Sequence, residues 1–204
     1  MMTTPWRRSR RCTPTALVLI SMLLTLVGGC SSPPPFNATE VNGVSYGTGL
    51  EIRDTRGQLR SLDEFAGKVS IVFFGFTSCP DVCPSTLMRL RQVRDSLGPQ
   101  AAQLQVLLVS VDPERDSPER LEAYVGNFDP SFVGLRPEPD ALDKVVKAFH
   151  AIAVKVPATG GTDYTIDHSA TLYVYDRKAK MRLIAQPDIP VDQLASDLQR
   201  LITE

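Results

Sequence analysis

The chain reads as an α/β domain with a mixed central β-sheet flanked by helices. Two apolar runs, Val69–Phe76 and Gln105–Val111, have the length of buried strands, and each leads into a segment of helical period. Near the end, alternating stretches at 169–175 and 181–185 meet across a turn at 176–180. An antiparallel hairpin there, joined to strands that otherwise alternate with helices, implies a mixed sheet.

The N-terminus is set apart from that domain. Arg7, Arg8, Arg10 and Arg11 form a basic region, and Ala16–Val27 is apolar but too short to span a bilayer. Val27-Gly28-Gly29-Cys30 closes the segment, so a signal peptide is expected over 1–29. Small residues ahead of a cysteine resemble a bacterial lipobox, which implies cleavage before Cys30, a diacylglycerol on its sulfur and residence on the extracytoplasmic face of a bacterial membrane. An ordinary secretory signal is the alternative. Ser9-Arg10-Arg11 resembles part of a twin-arginine signal, although Thr13 and Pro14 stand where apolar residues are wanted.

The next segment, 30–47, carries Pro33-Pro34-Pro35 and no sustained period, and reads as a flexible tether ahead of a domain over 48–204. Short alternation on either side of Asp54-Thr55-Arg56-Gly57 predicts a hairpin, and Ser61-Leu62-Asp63-Glu64-Phe65 a helical turn. Leu87, Leu90, Val93 and Leu97 place one apolar face on a helix after Pro84. Ser117-Pro118 caps and starts another, running to about Asn127. A short strand at 132–135 and an amphipathic helix at 140–151 follow, the latter with Leu142, Val145, Val146 and Phe149 inward and His150 outside that set. Val154–Val156 reads as a strand, 157–165 as a Gly- and Thr-rich loop, and 191–202 as the last helix.

Chemistry concentrates at the end of the first buried strand, in Cys79-Pro-Asp-Val-Cys83-Pro. Three residues separate the cysteines where a thioredoxin-type redox motif has two. On a regular helical turn they would be i and i+4, with Cβ atoms about 5–6 Å apart, wider than the ~3.5–4.5 Å a disulfide prefers. A metal ion bridges that gap more readily. Helix N-terminal N–H groups and the macrodipole favour thiolates, and soft thiolates select Cu(I) or Zn, with histidine the usual third donor.

The chain has two histidines, and His168 stands at a loop-to-strand junction on the edge where the cysteines lie. Asp167 is placed to orient its imidazole. Asp81, between the thiols, is placed to tune their charge or touch a partner.

Removing residues 1–29 takes away four arginines and no acid, leaving 18 basic against 23 acidic residues and a net charge near −5. That balance disfavours nucleic acid as a partner. With Cys12 lost and Cys30 acylated, the folded domain keeps only Cys79 and Cys83. A disulfide closing so small a loop would be a poor staple.

The segments GFTSCPDVCPSTL at 75–87, SVDPERDSPERL at 110–121 and DHSATLYVYD at 167–176 together resemble the Sco/SenC family of membrane-tethered copper proteins, over about 45–204. The resemblance implies a thioredoxin-like fold holding one copper, Cu(I) or Cu(II), through Cys79, Cys83 and His168. It implies service in assembling the copper A centre of cytochrome c oxidase subunit II, by copper delivery from an extracytoplasmic donor or by thiol–disulfide reduction of the recipient's cysteines. Ser78 stands where many relatives carry histidine. Thioredoxins place a cis-proline before the strand facing the active site, whereas this chain has His168-Ser169-Ala170-Thr171, which favours metal handling over general disulfide exchange.

For delivery, low-coordinate Cu(I) on two thiolates and a neutral imidazole would leave room for an incoming ligand. For reduction, Cys79 would attack and Cys83 resolve.

Overall fold

The computed structural model describes residues 34–157 and 163–204, of which Phe36–Glu204 form one folded unit. The signal segment 1–29 and Cys30 lie outside the described residues.

Among the described residues there are ten strands: β1 (Thr39–Glu40), β2 (Ile52–Asp54), β3 (Leu59–Arg60), β4 (Val69–Gly75), β5 (Leu104–Ser110), β6 (Val133–Arg136), β7 (Ala153–Pro157), β8 (Tyr164–His168), β9 (Leu172–Tyr175) and β10 (Met181–Ala185). The α-helices are α1 (Val82–Ser96), α2 (Pro118–Gly126), α3 (Leu142–Ala148) and α4 (Val191–Thr203). Eight strands make one sheet in the order β1-β10-β9-β4-β5-β6-β2-β3, and β7 and β8 pair separately as a two-stranded ribbon.

The centre of the sheet is β4 and β5, parallel in register from Val69 opposite Leu104 to Gly75 opposite Ser110. Every residue of both strands is buried, as unbroken apolar runs require when both faces are covered. On its other side β4 pairs antiparallel with β9, and β9 with β10, so the sheet is mixed. This is the thioredoxin-like arrangement expected from the sequence.

Helix α1 buries Leu87, Leu90 and Val93, and Leu97 just beyond it, and packs against α4. Ser117 caps α2 as predicted, its hydroxyl accepting from the Arg120 N–H at 3.2 Å. The turn at 61–65 is a 3-10 helix, Leu62–Phe65, with the Ser61 N–H donating to the Glu64 carboxylate.

Three local expectations change. The tether does not extend to 47: Ala38 is buried, the backbone N–H groups of Asn37 and Ala38 donate to the two oxygens of Asp197 on α4, and β1 pairs with β10. Asp197 is only 3% exposed and needs those donors; a two-residue strand leaves no period to read. Gly47 lies in the left-handed region (φ +67°), and a Cβ there would meet the Phe149 ring at 2.2 Å. Second, the segment feeding His168 is itself a strand, β8, where a loop running to 165 was expected. Third, α1 begins at Val82, ahead of the Pro84 from which its period was read, and takes in Cys83 but not Cys79.

Candidate metal centre

The site sits at the C-terminal end of β4. Gly75 ends that strand against the buried Cys83 side chain, and a Cβ on Gly75 would lie 2.9 Å from the Cys83 Sγ. Phe76 to Pro80 then form a turn, closed by the Cys79 N–H donating to the Phe76 carbonyl at 3.2 Å. The helix starts only at Val82, so Cys79 stays outside it in the turn, while Cys83 occupies its first turn, where Pro84 has no N–H to leave unpaired. The helical i, i+4 geometry expected for the pair is thereby corrected. The thiols are free, without a disulfide, and both are buried.

What fixes this turn is a buried acid that sequence reasoning did not single out. Asp116, 0% exposed, accepts from the Thr77 hydroxyl at 2.6 Å, the Thr77 N–H at 3.2 Å and the Ser110 hydroxyl at 2.6 Å. The loop before Cys79 is thus tied to the end of β5. The signal was available in the SVDPERDSP stretch, whose acids follow a buried strand at the same sheet edge.

His168 arrives from the opposite side, at the end of β8. Its Nε2 lies 3.4 Å from the Cys83 Sγ, while Nδ1 lies 3.1 Å from the Ser169 carbonyl. Phe73 and Phe76 meet the imidazole edge to face, with centroids 6.4 and 5.7 Å away. The Cys79, Cys83 and His168 ligand atoms all lie within 4.8 Å of one another. The ribbon is held in place by Tyr164, whose hydroxyl donates to buried Asp112 at 2.8 Å, and by Arg115. That guanidinium contacts Asp112, donates to the Tyr164 carbonyl at 2.9 Å and stacks 3.8 Å over the Tyr164 ring.

The two thiols are electrostatically unlike. Donation from Cys83 stabilises a thiolate on Cys79, and although burial opposes charge there, the N–H groups of Asp81 and Cys83 and the His168 ring add to it. Together they bring Cys79 down to about 4. Cys83, hydrogen-bonded to that anion and more deeply buried, is pushed up and holds its proton. One shared proton between two sulfurs leaves a single negative charge, which a soft cation can complete by displacing that proton.

The profile of the SCO1/SenC family matches residues 40–203. The chain belongs to that family. An SCO2-like protein of Rickettsia felis is 31% identical over 176 residues, covering 80% of this chain and 85% of the relative. Among solved structures, copper-bound ScoI of Bradyrhizobium japonicum superposes with a TM-score of 0.70 at 34% identity, covering 77% of this chain and 99% of that one. The apo Sco1 protein of Thermus thermophilus gives 0.73 at 35%, covering 84% and 99%.

The remaining sequence candidates of this SCO1/SenC chain divide. Asp81 caps α1 by position without a side-chain hydrogen bond, and it is exposed at the mouth of the site. Asp167 is also exposed at the mouth, and the imidazole Nδ1 is satisfied by the Ser169 carbonyl, so the orienting role expected of Asp167 passes to the backbone. The cause is strand alternation: Ile166 is buried, and Asp167 is exposed between it and His168. Ser78 is exposed and accepts from Arg120 at 2.9 Å. His150, outside the apolar set as expected, stacks on Tyr46 with centroids 4.5 Å apart.

Proposed function

We propose that the protein is a membrane-tethered extracytoplasmic copper carrier that assists assembly of the copper A centre in subunit II of cytochrome c oxidase. One observation carries this reading: two thiol sulfurs and an imidazole nitrogen converge within 4.8 Å at the end of a buried strand. That donor set fits copper, soft sulfur favouring Cu(I) and imidazole tolerating either oxidation state. Copper is cargo here. Cys79 and Cys83 would hold it from one side and His168 from the other, one ion per chain. A low-coordinate site open to solvent admits an incoming thiolate from the recipient. Copper would be received from an extracytoplasmic donor, and Cys30 would anchor the chain by its lipid.

A second reading draws on the asymmetry of the thiols. A Cys79 thiolate beside a protonated Cys83 is the arrangement of an attacking and a resolving thiol, so reduction of the cysteines of subunit II, or of another secreted protein, is the competing chemistry.

The test is titration of the reduced protein with Cu(I) against a competing chelator, beside Cys79→Ser, Cys83→Ser and His168→Ala. Binding of one equivalent, weakened in all three variants by more than the ~100-fold that changes around the ligands produce, supports copper handling. Weak binding in the parent, or affinity indifferent to His168, moves the assignment to thiol–disulfide exchange. Transfer to a purified subunit II domain then decides the recipient.

A further inference from the structure

The end of the sheet opposite the metal centre carries a cluster of cations that neither copper nor thiol chemistry uses. Four of the six residues 177–182 are Lys or Arg, in a chain that has slightly more acids than bases overall. Arg177, Lys178 and Lys180 occupy the β9–β10 turn and Arg182 follows in β10; the turn is joined to the chain just before β4, the Gly67 N–H donating to the Arg177 carbonyl at 2.8 Å, and Arg177 Nε to the Gly67 carbonyl at 3.1 Å. Lys68 is therefore part of the same surface.

Two acids among these cations are already engaged. Asp176 accepts from the backbone N–H groups of Lys178 and Lys180, and Glu204 pairs with Arg182 at 2.7 Å. Lys68, Lys178 and Lys180 are exposed and have no carboxylate partner among the described residues, and Arg177 donates only to carbonyls, of Gly67 and Ile202. The other end of β4, about 23 Å away for seven residues of strand, has exposed Asp81 and Asp167 beside the metal centre.

Chain length adds a second constraint, and it rests on Cys30 being the lipid anchor. Only residues 31–35 separate Cys30 from Phe36, where the folded unit begins. At 3.3–3.6 Å per residue that stretch reaches about 20 Å at most. Phe36 is itself placed beside this basic end, its ring 3.9 Å from the Arg200 guanidinium carbon and 5.9 Å from that of Arg182. A domain on so short a leash rests near the headgroups, and the end nearest the leash bears the unneutralised cations.

We propose that Lys68, Arg177, Lys178 and Lys180 form a membrane-contact surface for anionic phospholipid headgroups, seating the tethered domain with its Cys–Cys–His centre turned away from the bilayer. Each cation held at an anionic surface strengthens attachment about fivefold, while the acids at the far end are repelled from it. The domain would then present one face to its partners.

The experiment uses the acylated protein in nanodiscs of phosphatidylcholine alone or with one third phosphatidylglycerol. Lysine side chains are acylated with an N-hydroxysuccinimide ester, and rates are read by mass spectrometry. Lys68, Lys178 and Lys180 should react about tenfold more slowly on the anionic discs only, with Lys144, Lys147 and Lys155 unchanged and the protection lost in 0.5 M NaCl. In Lys68→Gln/Lys180→Gln, protection of the reporter Lys178 should fall to about twofold. Equal rates on both discs, or uniform slowing of all six lysines, would overturn the surface. The N-terminal peptide from the same digest shows whether Cys30 is acylated, so failure of the anchor is read separately; unacylated chain goes through the same comparison on anionic vesicles at low salt.

Discussion

The two halves of the metal centre are built differently. The thiols come from the middle of the sheet: Cys83 is fully buried under Gly75, and the turn carrying Cys79 is tied by Asp116 to the end of β5. The imidazole comes from a ribbon outside the eight-stranded sheet, whose outer surface leaves Ile152 and Val154 more than half exposed. Only Ile166 sinks into the core from β8, and polar ties at Tyr164, Arg115 and Ser169 do the rest. The sulfurs are thus placed by core packing and a buried hydrogen-bonding acid, and the nitrogen by fewer ties nearer the surface, which can open separately. The copper-carrier role proposed above would be served by one fixed pair of donors and one that can withdraw.

The largest expected effect lies on the packed half. Asp116→Ala leaves the Thr77 and Ser110 donors unpaired in a buried place, and we expect a loss of about 3 kcal/mol in urea unfolding. Alkylation of Cys83 should quicken at the same time, because its cover is gone. A change below about 1 kcal/mol would mean that the turn is held by its backbone alone, and the contrast between the halves would weaken.

On the ribbon half the effect should be smaller and local. Tyr164→Phe removes the hydroxyl that reaches Asp112, at a cost of about 1 kcal/mol. Amide exchange should rise in β7 and β8 while α1 keeps its protection, and Cu(I) affinity should fall about tenfold through misplacement of His168. Equal loosening of α1 would show that ribbon and sheet open together.

The same division governed what could be read from the chain. Strands β4 and β5, the apolar face of α1, the Ser117 cap and the closing hairpin follow from period and capping chemistry, which act over a few residues. The convergence of Cys79, Cys83 and His168 was legible because they are rare residue types at one sheet edge. Strand β8 was hidden by the Gly- and Thr-rich stretch before it, and by a pattern that buries Ile166 alone. Asp116 and Asp197 look like any surface acid until distant donors are brought to them by the fold. Asp167, chosen for adjacency, is exposed because neighbours in a strand face opposite ways, and a carbonyl meets the imidazole Nδ1 instead.

The smallest expected effect is the most discriminating for the sulfurs themselves. Only a thiolate reacts with iodoacetamide, and an ordinary thiol gains roughly 200-fold in thiolate between pH 5.5 and 8. Cys79, lowered to about 4, is ionised across that whole window. Its pH-independent alkylation rate, with the adduct located by fragmentation at Cys79 and not Cys83, should therefore stay flat within about twofold. The leading cause is the hydrogen bond from Cys83, so Cys83→Ala should raise the Cys79 value and restore a rate that climbs with pH. If the parent protein already climbs, the thiols share their proton evenly, and the case for Cys79 as the preformed anion of the site is lost. If Cys83→Ala stays flat, the backbone N–H groups at the start of α1 hold the charge without the second sulfur. The thiol half of the centre would then be ready for a cation through its turn alone.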